Sequence, residues 1–394
     1  MSGHAVVHSA VGGRVMTRPF KVLLAIAALG AVVAAYRFTV GIGGVSALND
    51  GYPWGVWIAI DVVVGTALGC GGYAVALLAY VLNRGKYHPI VRPAILTSLL
   101  GYGLAVIAVT IDLGRFWDLW KVPVFFWRWS HSPQLEVALC VAAYNLVLIV
   151  ELSPALWEKL RASKSASLRS WGERGLRFVD KTLIWFIGLG LLLPTMHQSS
   201  LGTMMLLPAT KMHPLWFTPW LPFLFLVNCI LIGYAIVVIE ATFSSVAFKR
   251  PRETAMLAAL SNVAAWVALF WTAFRVVDMA IRGQLRHLPS KTGIAFLVEL
   301  ALPVAGALIL LSGSRRTRAM WQVRAAILLL LGGALFRVNT YMIAFRPGGQ
   351  WSYFPSIPEL LITFGIIAAE VAIYVAVVKT FPILSGAAPA AAKR

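Results

Sequence analysis

With 394 residues, 59% of them hydrophobic and only 12% charged, the chain has about half the charge density of a soluble protein, and its mean hydropathy of +0.79 excludes a water-soluble fold. A net charge of +19 would admit a nucleic-acid partner, but the bases are not gathered into one patch or tail. Cys70, Cys140 and Cys229 fall in apolar stretches with no CxxC pair, which leaves no thiolate set for an iron-sulfur cluster or structural zinc and gives no sign of a disulfide.

Apolar runs of roughly 20 residues cross a bilayer as helices. On that rule the chain is an all-α polytopic membrane protein with spans at 20–38, 54–82, 92–114, 133–157, 180–207, 219–247, 256–280, 291–312, 323–345 and 357–379. A tail over 1–19 and another over 381–394 flank a membrane domain over 20–380. Arg14 and Arg18 before the first apolar run resemble a signal peptide, but no small-residue cleavage site follows, so the run is read as the first span. Of the 34 Lys and Arg residues, 23 fall on the side of the termini and nine on the other, with Arg275 and Arg337 inside spans. The positive-inside rule then places both termini in the cytoplasm and accounts for the basic charge without nucleic acid.

Ionisable groups inside spans are functional candidates, since an Asp at mid-membrane costs at least roughly 2.5 kcal/mol. Asp61 lies seven residues below Trp54 in the second span, roughly 10 Å deep at roughly 1.5 Å per residue. The third span carries Tyr102 and ends with Asp112 and Arg115; the fourth opens with Glu136 and carries Glu151 near its inner end. Between them, Trp117, Trp120, Phe125, Phe126, Trp127 and Trp129 read as an interfacial belt that also offers a docking surface. The fifth span holds Leu193-Pro194-Thr195-Met196-His197-Gln198-Ser199-Ser200-Leu201-Gly202, where Pro194 predicts a kink or break and the polar run predicts a pocket rather than a lipid-facing surface. On depth alone, Asp61, Asp112, Glu136 and His197 converge in the outer half. Glu240, Glu299 and Glu370 in later spans, with Glu151, form a candidate proton path; two of these acids serve equally well as partners for Arg275 and Arg337.

A weak repeat relates Asp112, Arg115 and Glu136 to Asp278, Arg282 and Glu299, which predicts two similarly arranged four-helix bundles from spans 2–5 and 6–9, with the remaining spans flanking them.

Several longer motifs carry a resemblance. They are Asn49-Asp50-Gly51-Tyr52-Pro53-Trp54-Gly55-Val56-Trp57, Asn83-Arg84-Gly85-Lys86-Tyr87-His88-Pro89, Ile111-Asp112-Leu113-Gly114-Arg115, Leu193 to Gly202, Glu151-Leu152-Ser153-Pro154, and Ala344-Phe345-Arg346-Pro347-Gly348-Gly349. Together they resemble the HybB-like membrane subunits of hydrogenase 2 complexes, within the wider NrfD or polysulfide reductase membrane-subunit family. The resemblance implies a quinone-binding subunit, using menaquinone or ubiquinone, that exchanges electrons with a periplasmic iron-sulfur subunit joined to a hydrogenase-like catalytic subunit. Within that frame His197, with Gln198 or Ser199, is expected to hydrogen-bond a quinone carbonyl, and Asp112 paired to Arg115, or Glu136, to supply a proton. Trp54, Asp61 and Tyr102 are expected to shape the pocket. Only His197 lies well inside a span, so no haem is expected, since a membrane haem b usually takes two facing histidines. A different periplasmic oxidoreductase, a multihaem cytochrome partner, or a secondary transporter are the alternatives.

Overall fold

The computed structural model describes residues 8–250 and 253–386, so Arg252, Lys393 and Arg394, counted above among the inner bases, lie outside the described residues. Ten long helices follow one another: α1 Arg18–Val40, α2 Trp57–Val81, α3 Val91–Asp112, α4 Pro133–Arg161, α5 Ala166–Met204, α6 Leu221–Ala247, α7 Thr254–Ile281, α8 Lys291–Leu311, α9 Ala319–Ile343 and α10 Ile357–Thr380. Nine of these described helices are long and apolar enough to cross a membrane by length and composition. The tenth, α5, runs for 39 residues; Arg169, Glu173, Arg174, Arg177, Asp180 and Lys181 load its first half, and His197 to Ser200 interrupt its second.

Local sequence explains the starts of these helices. Proline occupies the first or second position of α1, α4, α6 and α10, where its missing N–H would have had no partner. Ser356 and Glu359 close a capping box on α10, and Ser290 caps α8 by accepting from the Gly293 amide.

Helices α2–α5 pack as one bundle and α6–α9 as a second, joined where α2 and α5 meet α6 and where α2 meets α9. One apolar core runs through both, with Tyr73, Tyr102 and Leu148 from the first and Leu231, Leu260 and Leu329 from the second. Helices α1 and α10 form a flanking pair against α3. They approach so closely at Gly30 and Gly365 that a Cβ on either would overlap the other's backbone.

Of the kink or break expected at Pro194, the break is not there. Helix α5 continues from Ala166 to Met204, and the polar side chains after the proline bond back onto its own carbonyls, Thr195 Oγ1 to Leu191 at 2.8 Å among them. Irregular backbone occurs instead in α2, whose wide π turns at Trp57–Val64 and Leu77–Val81 flank an interruption at Gly69 and Cys70, and in α9, which ends on a π turn at Asn339–Ile343.

Both described ends lie on one face. Strand β1, His8–Ser9, pairs antiparallel with β2, Leu384–Ser385, and the Arg250 guanidinium donates to the carbonyls of Ser9, Ala10 and Gly386. On the opposite face two loops are stitched together, His213 N–H donating to the Ala344 carbonyl and Arg346 N–H to the Lys211 carbonyl, each at 2.7 Å.

Burial, followed by the nearby charges of Arg346 and His287, lowers the His213 imidazole from 6.5 to about 4. The folded loop therefore binds a proton less readily than the unfolded one. Its docking is complete above about 6.5 and weakens as pH falls toward 4. Amide exchange at His213 and Arg346 is expected to accelerate across that interval more than at buried positions of α6; uniform behaviour would show that the histidine does not control the loop.

Candidate functional site

The polar run of α5 points inward at His197 and Gln198, both fully buried, toward Thr66 and Cys70 of α2 and Tyr102 of α3. The Leu193 carbonyl can only accept, so in the neutral ring His197 Nδ1–H donates to it at 2.8 Å. Nε2 is then left to accept from the Tyr102 hydroxyl at 2.7 Å. The Gln198 amide nitrogen lies 3.2 Å from both Tyr102 Oη and Thr66 Oγ1, and the Cys70 thiol is 3.3 Å from the same phenol. Tyr144 of α4 packs edge-on to Tyr102 at 4.7 Å. All four helices of the first bundle thus contribute to one buried network. Gln198 Oε1 remains buried without a partner among the described residues, which marks a place where the network is open to a further donor.

The other expected site residues are distributed more widely than depth alone implied. Asp61 turns to α10, accepting from Thr363 Oγ1 at 2.8 Å. Asp112 is half-buried with Oδ1 unpartnered among the described residues, and its neighbouring cation is Arg37. The expected pairing with Arg115 is not formed: that side chain is 80% exposed and reaches Asp118 at 3.8 Å, because the chain turns outward after α3. Glu136 sits half-buried in the first turn of α4, and Ser199 Oγ bonds the carbonyls of Thr195 and Met196 on its own helix. None of Asp61, Asp112 and Glu136 hydrogen-bonds to the His197 network.

The expected proton-path acids also part company. Glu299 is fully buried, 2.5 Å from Arg275 Nη1, and further accepts from Trp216 Nε1 and Asn339 Nδ2, so it is committed to an ion-pair network in the second bundle. Glu240 accepts from Thr97 and Tyr374. Glu370 is half-buried on α10. Glu151 lines a cavity of about 130 Å³ together with Tyr73, Tyr80 and Tyr144, on the side of the first bundle nearer the termini. Among the described residues Arg337 has no acid partner; it is fully buried and donates to Asn228 Oδ1 at 2.7 Å and to the Val63 and Phe225 carbonyls at 2.9 Å, tying α9 to α2 and α6.

On the face opposite the termini lies a feature that the sequence did not announce, an open groove of about 730 Å³ walled by Trp54, Ile58, Met204, Met205, Tyr341 and Phe345. Asp50, Gln134 and Lys211 stand at its margin. Ile58 and Tyr341 belong to the two π turns, so the irregular stretches of α2 and α9 both contribute to its walls. Trp54 Nε1 donates to the Tyr341 carbonyl at 3.0 Å and its ring packs on Phe345 at 4.6 Å, while Tyr341 donates to the Leu201 carbonyl at 2.9 Å. The groove thereby rests on the same segment of α5 that carries His197. The aromatic and methionine residues that build it come from three distant stretches, and only the Trp54 and Phe345 motifs hinted at it.

Residues 44–345 match the family described as polysulphide reductase, NrfD. The chain is 34% identical over 383 residues to an Escherichia coli (strain K12) protein named Probable Ni/Fe-hydrogenase 2 b-type cytochrome subunit; the match takes in 95% of this chain and 94% of the relative. It is 30% identical over 214 residues to the Menaquinone reductase, integral membrane subunit, of Nitratidesulfovibrio vulgaris (strain Hildenborough), a match over 53% of this chain and 49% of that one. A selenate reductase subunit from Mesobacillus selenatarsenatis is 25% identical over 246 residues, 57% of this chain and 56% of the relative.

The b-type cytochrome name overturns the expectation of a haem-free chain, because a single well-buried histidine is not by itself grounds for excluding the group. Around His197 the described conformation does not fit haem: both ring nitrogens are engaged, by Leu193 and Tyr102. His213 and His287 touch edge to face at 5.5 Å, which leaves no slot between them for a macrocycle. The family match over most of the chain, the helical architecture and the spanning helices agree, and the chain is a multi-pass membrane protein of the polysulphide reductase, NrfD family.

Proposed function

We propose that this chain is the quinone-exchanging membrane subunit of a periplasm-facing respiratory oxidoreductase complex of the [NiFe] hydrogenase 2 type. The observation that carries the reading is the outer groove: aromatic and methionine walls of about 730 Å³ with a few polar groups at the margin suit a flat, mostly apolar ring entering from the bilayer. Reduction of a quinone takes two electrons and two protons. The electrons arrive from an iron-sulfur partner docked on the outer aromatic loops, where Trp117, Trp120, Phe126 and Trp127 are all at least half exposed.

In this proposal the His197 network lies below the groove, seven residues along α5 from Met204, or roughly 10 Å at the helical rise. His197 is not among the residues that wall the groove, so in this reading it acts only indirectly on a ring held there. The imidazole and the Tyr102 phenol instead hold and pass a proton toward the groove, and Gln198 orients both. Asp112 and Glu136, near the outer ends of α3 and α4, are proton donors of second resort. The termini face the cytoplasm, in keeping with the distribution of bases. The name of the menaquinone reductase relative supports quinone as the substrate class for this chain as well.

A photoactivatable quinone analogue, added to the purified complex, is expected to label the peptide containing Met204 and Met205, and unlabelled quinone is expected to compete. Labelling confined to peptides remote from Trp54, Met204 and Tyr341 would refute the assignment.

A further inference from the structure

A second cavity of about 730 Å³ opens on the face that carries both termini, between the inner end of α2 and the start of α7. Its floor is apolar, built from Leu78, Ala258, Ala259 and Val263. Its rim holds three bases, Arg84, Lys86 and Arg316, and no carboxylate is among its described lining residues. Among the described residues none of these bases enters an ion pair. Arg316 is nonetheless fixed in place, because Nη1 donates to Asn262 Oδ1 at 2.5 Å and to the Leu310 carbonyl at 3.2 Å. Arg84 and Lys86 are presented by the tight turn at Asn83, whose positive φ of 49° ends α2 and starts the Asn83 to Pro89 motif. The groove assigned to quinone uses none of these residues.

A ring of uncompensated cations above an apolar slot between membrane helices matches an anionic amphiphile, charge at the rim and chain on the floor. We propose that this cavity binds an anionic phospholipid of the inner leaflet, with its phosphate among Arg84, Lys86 and Arg316 and an acyl chain along Leu78 and Val263. The apolar floor selects a lipid over free phosphate, which would leave that surface wet. The site rests on the cavity and its charges and does not depend on the quinone reading.

The test uses the full chain in its purified complex, stripped of lipid in detergent and titrated by native mass spectrometry. Phosphatidylglycerol is expected to bind at least about ten-fold more tightly than phosphatidylcholine. Arg84→Gln with Lys86→Gln is expected to weaken phosphatidylglycerol roughly thirty-fold. Ala255→Trp, which fills the exposed side of the cavity without changing charge, is expected to weaken both lipids. Equal binding of the two lipids by the unaltered chain overturns the proposal, and that comparison does not depend on any variant folding. So does unchanged phosphatidylglycerol affinity in both variants, or displacement of the lipid by millimolar inorganic phosphate, which would identify a free-phosphate site.

Discussion

Replacing His197 with alanine is expected to lower quinone-linked turnover of the assembled complex roughly hundred-fold or more, while dye-linked activity of the catalytic partner stays unchanged. The expectation follows from the way the imidazole is held: one nitrogen spent on the Leu193 carbonyl, the other on the Tyr102 hydroxyl, with no exposed surface. A proton on that pair has few other places to go. Loss of the ring also leaves the phenol and the Gln198 amide short of a buried partner, at a cost of about 1–3 kcal/mol, so heat stability should be read in parallel. Tyr102→Phe separates the two effects, since it keeps the packing against Tyr144 and removes only the hydroxyl. If both variants keep full quinone turnover, the network is structural.

The largest effect on stability is expected at Glu299. Its carboxylate is fully buried and serves Arg275, Trp216 and Asn339 together, and the Arg275 guanidinium lies over the rings of Trp271, Phe296 and Phe336. Glu299→Leu strands the guanidinium in an apolar core and is expected to cost about 3–5 kcal/mol. Adding Arg275→Met should recover a substantial part of that loss, because two desolvated charges are then replaced by packing. Unfolding in mixed micelles measures both; a single variant that unfolds like the parent would show that the pair does not hold the second bundle together.

The two bundles were legible in the sequence because hydropathy and a repeated set of acids report helix number and order directly. Contacts between side chains were legible only where one residue type dictates its surroundings. His197 and Gln198 announced a buried network, since lipid tolerates neither. Asp61 and Asp112 announced burial equally well, but depth along a helix says nothing about azimuth, and their neighbours proved to be Thr363 and Arg37 on the flanking pair. Arg115 was misassigned because adjacency to Asp112 in sequence outweighed the turn that carries it into solvent. Pro194 suggested a kink or break by a local rule, and α5 runs on through it unbroken, whereas the wide turns of α2 and α9 have no single-residue signature. The groove between them was therefore invisible until the chain was folded.

The pairing of His8–Ser9 with Leu384–Ser385, and of α1 with α10, joins segments more than 300 residues apart, so neither contact can form before α10 and β2 have been made. Even in the folded chain only 11% of the apolar stretch of α1 is buried, and Gly30 is covered by α10, which is made after the other long helices described. A product that stops before α10 has neither contact, so Gly30 is left uncovered and β1 unpaired.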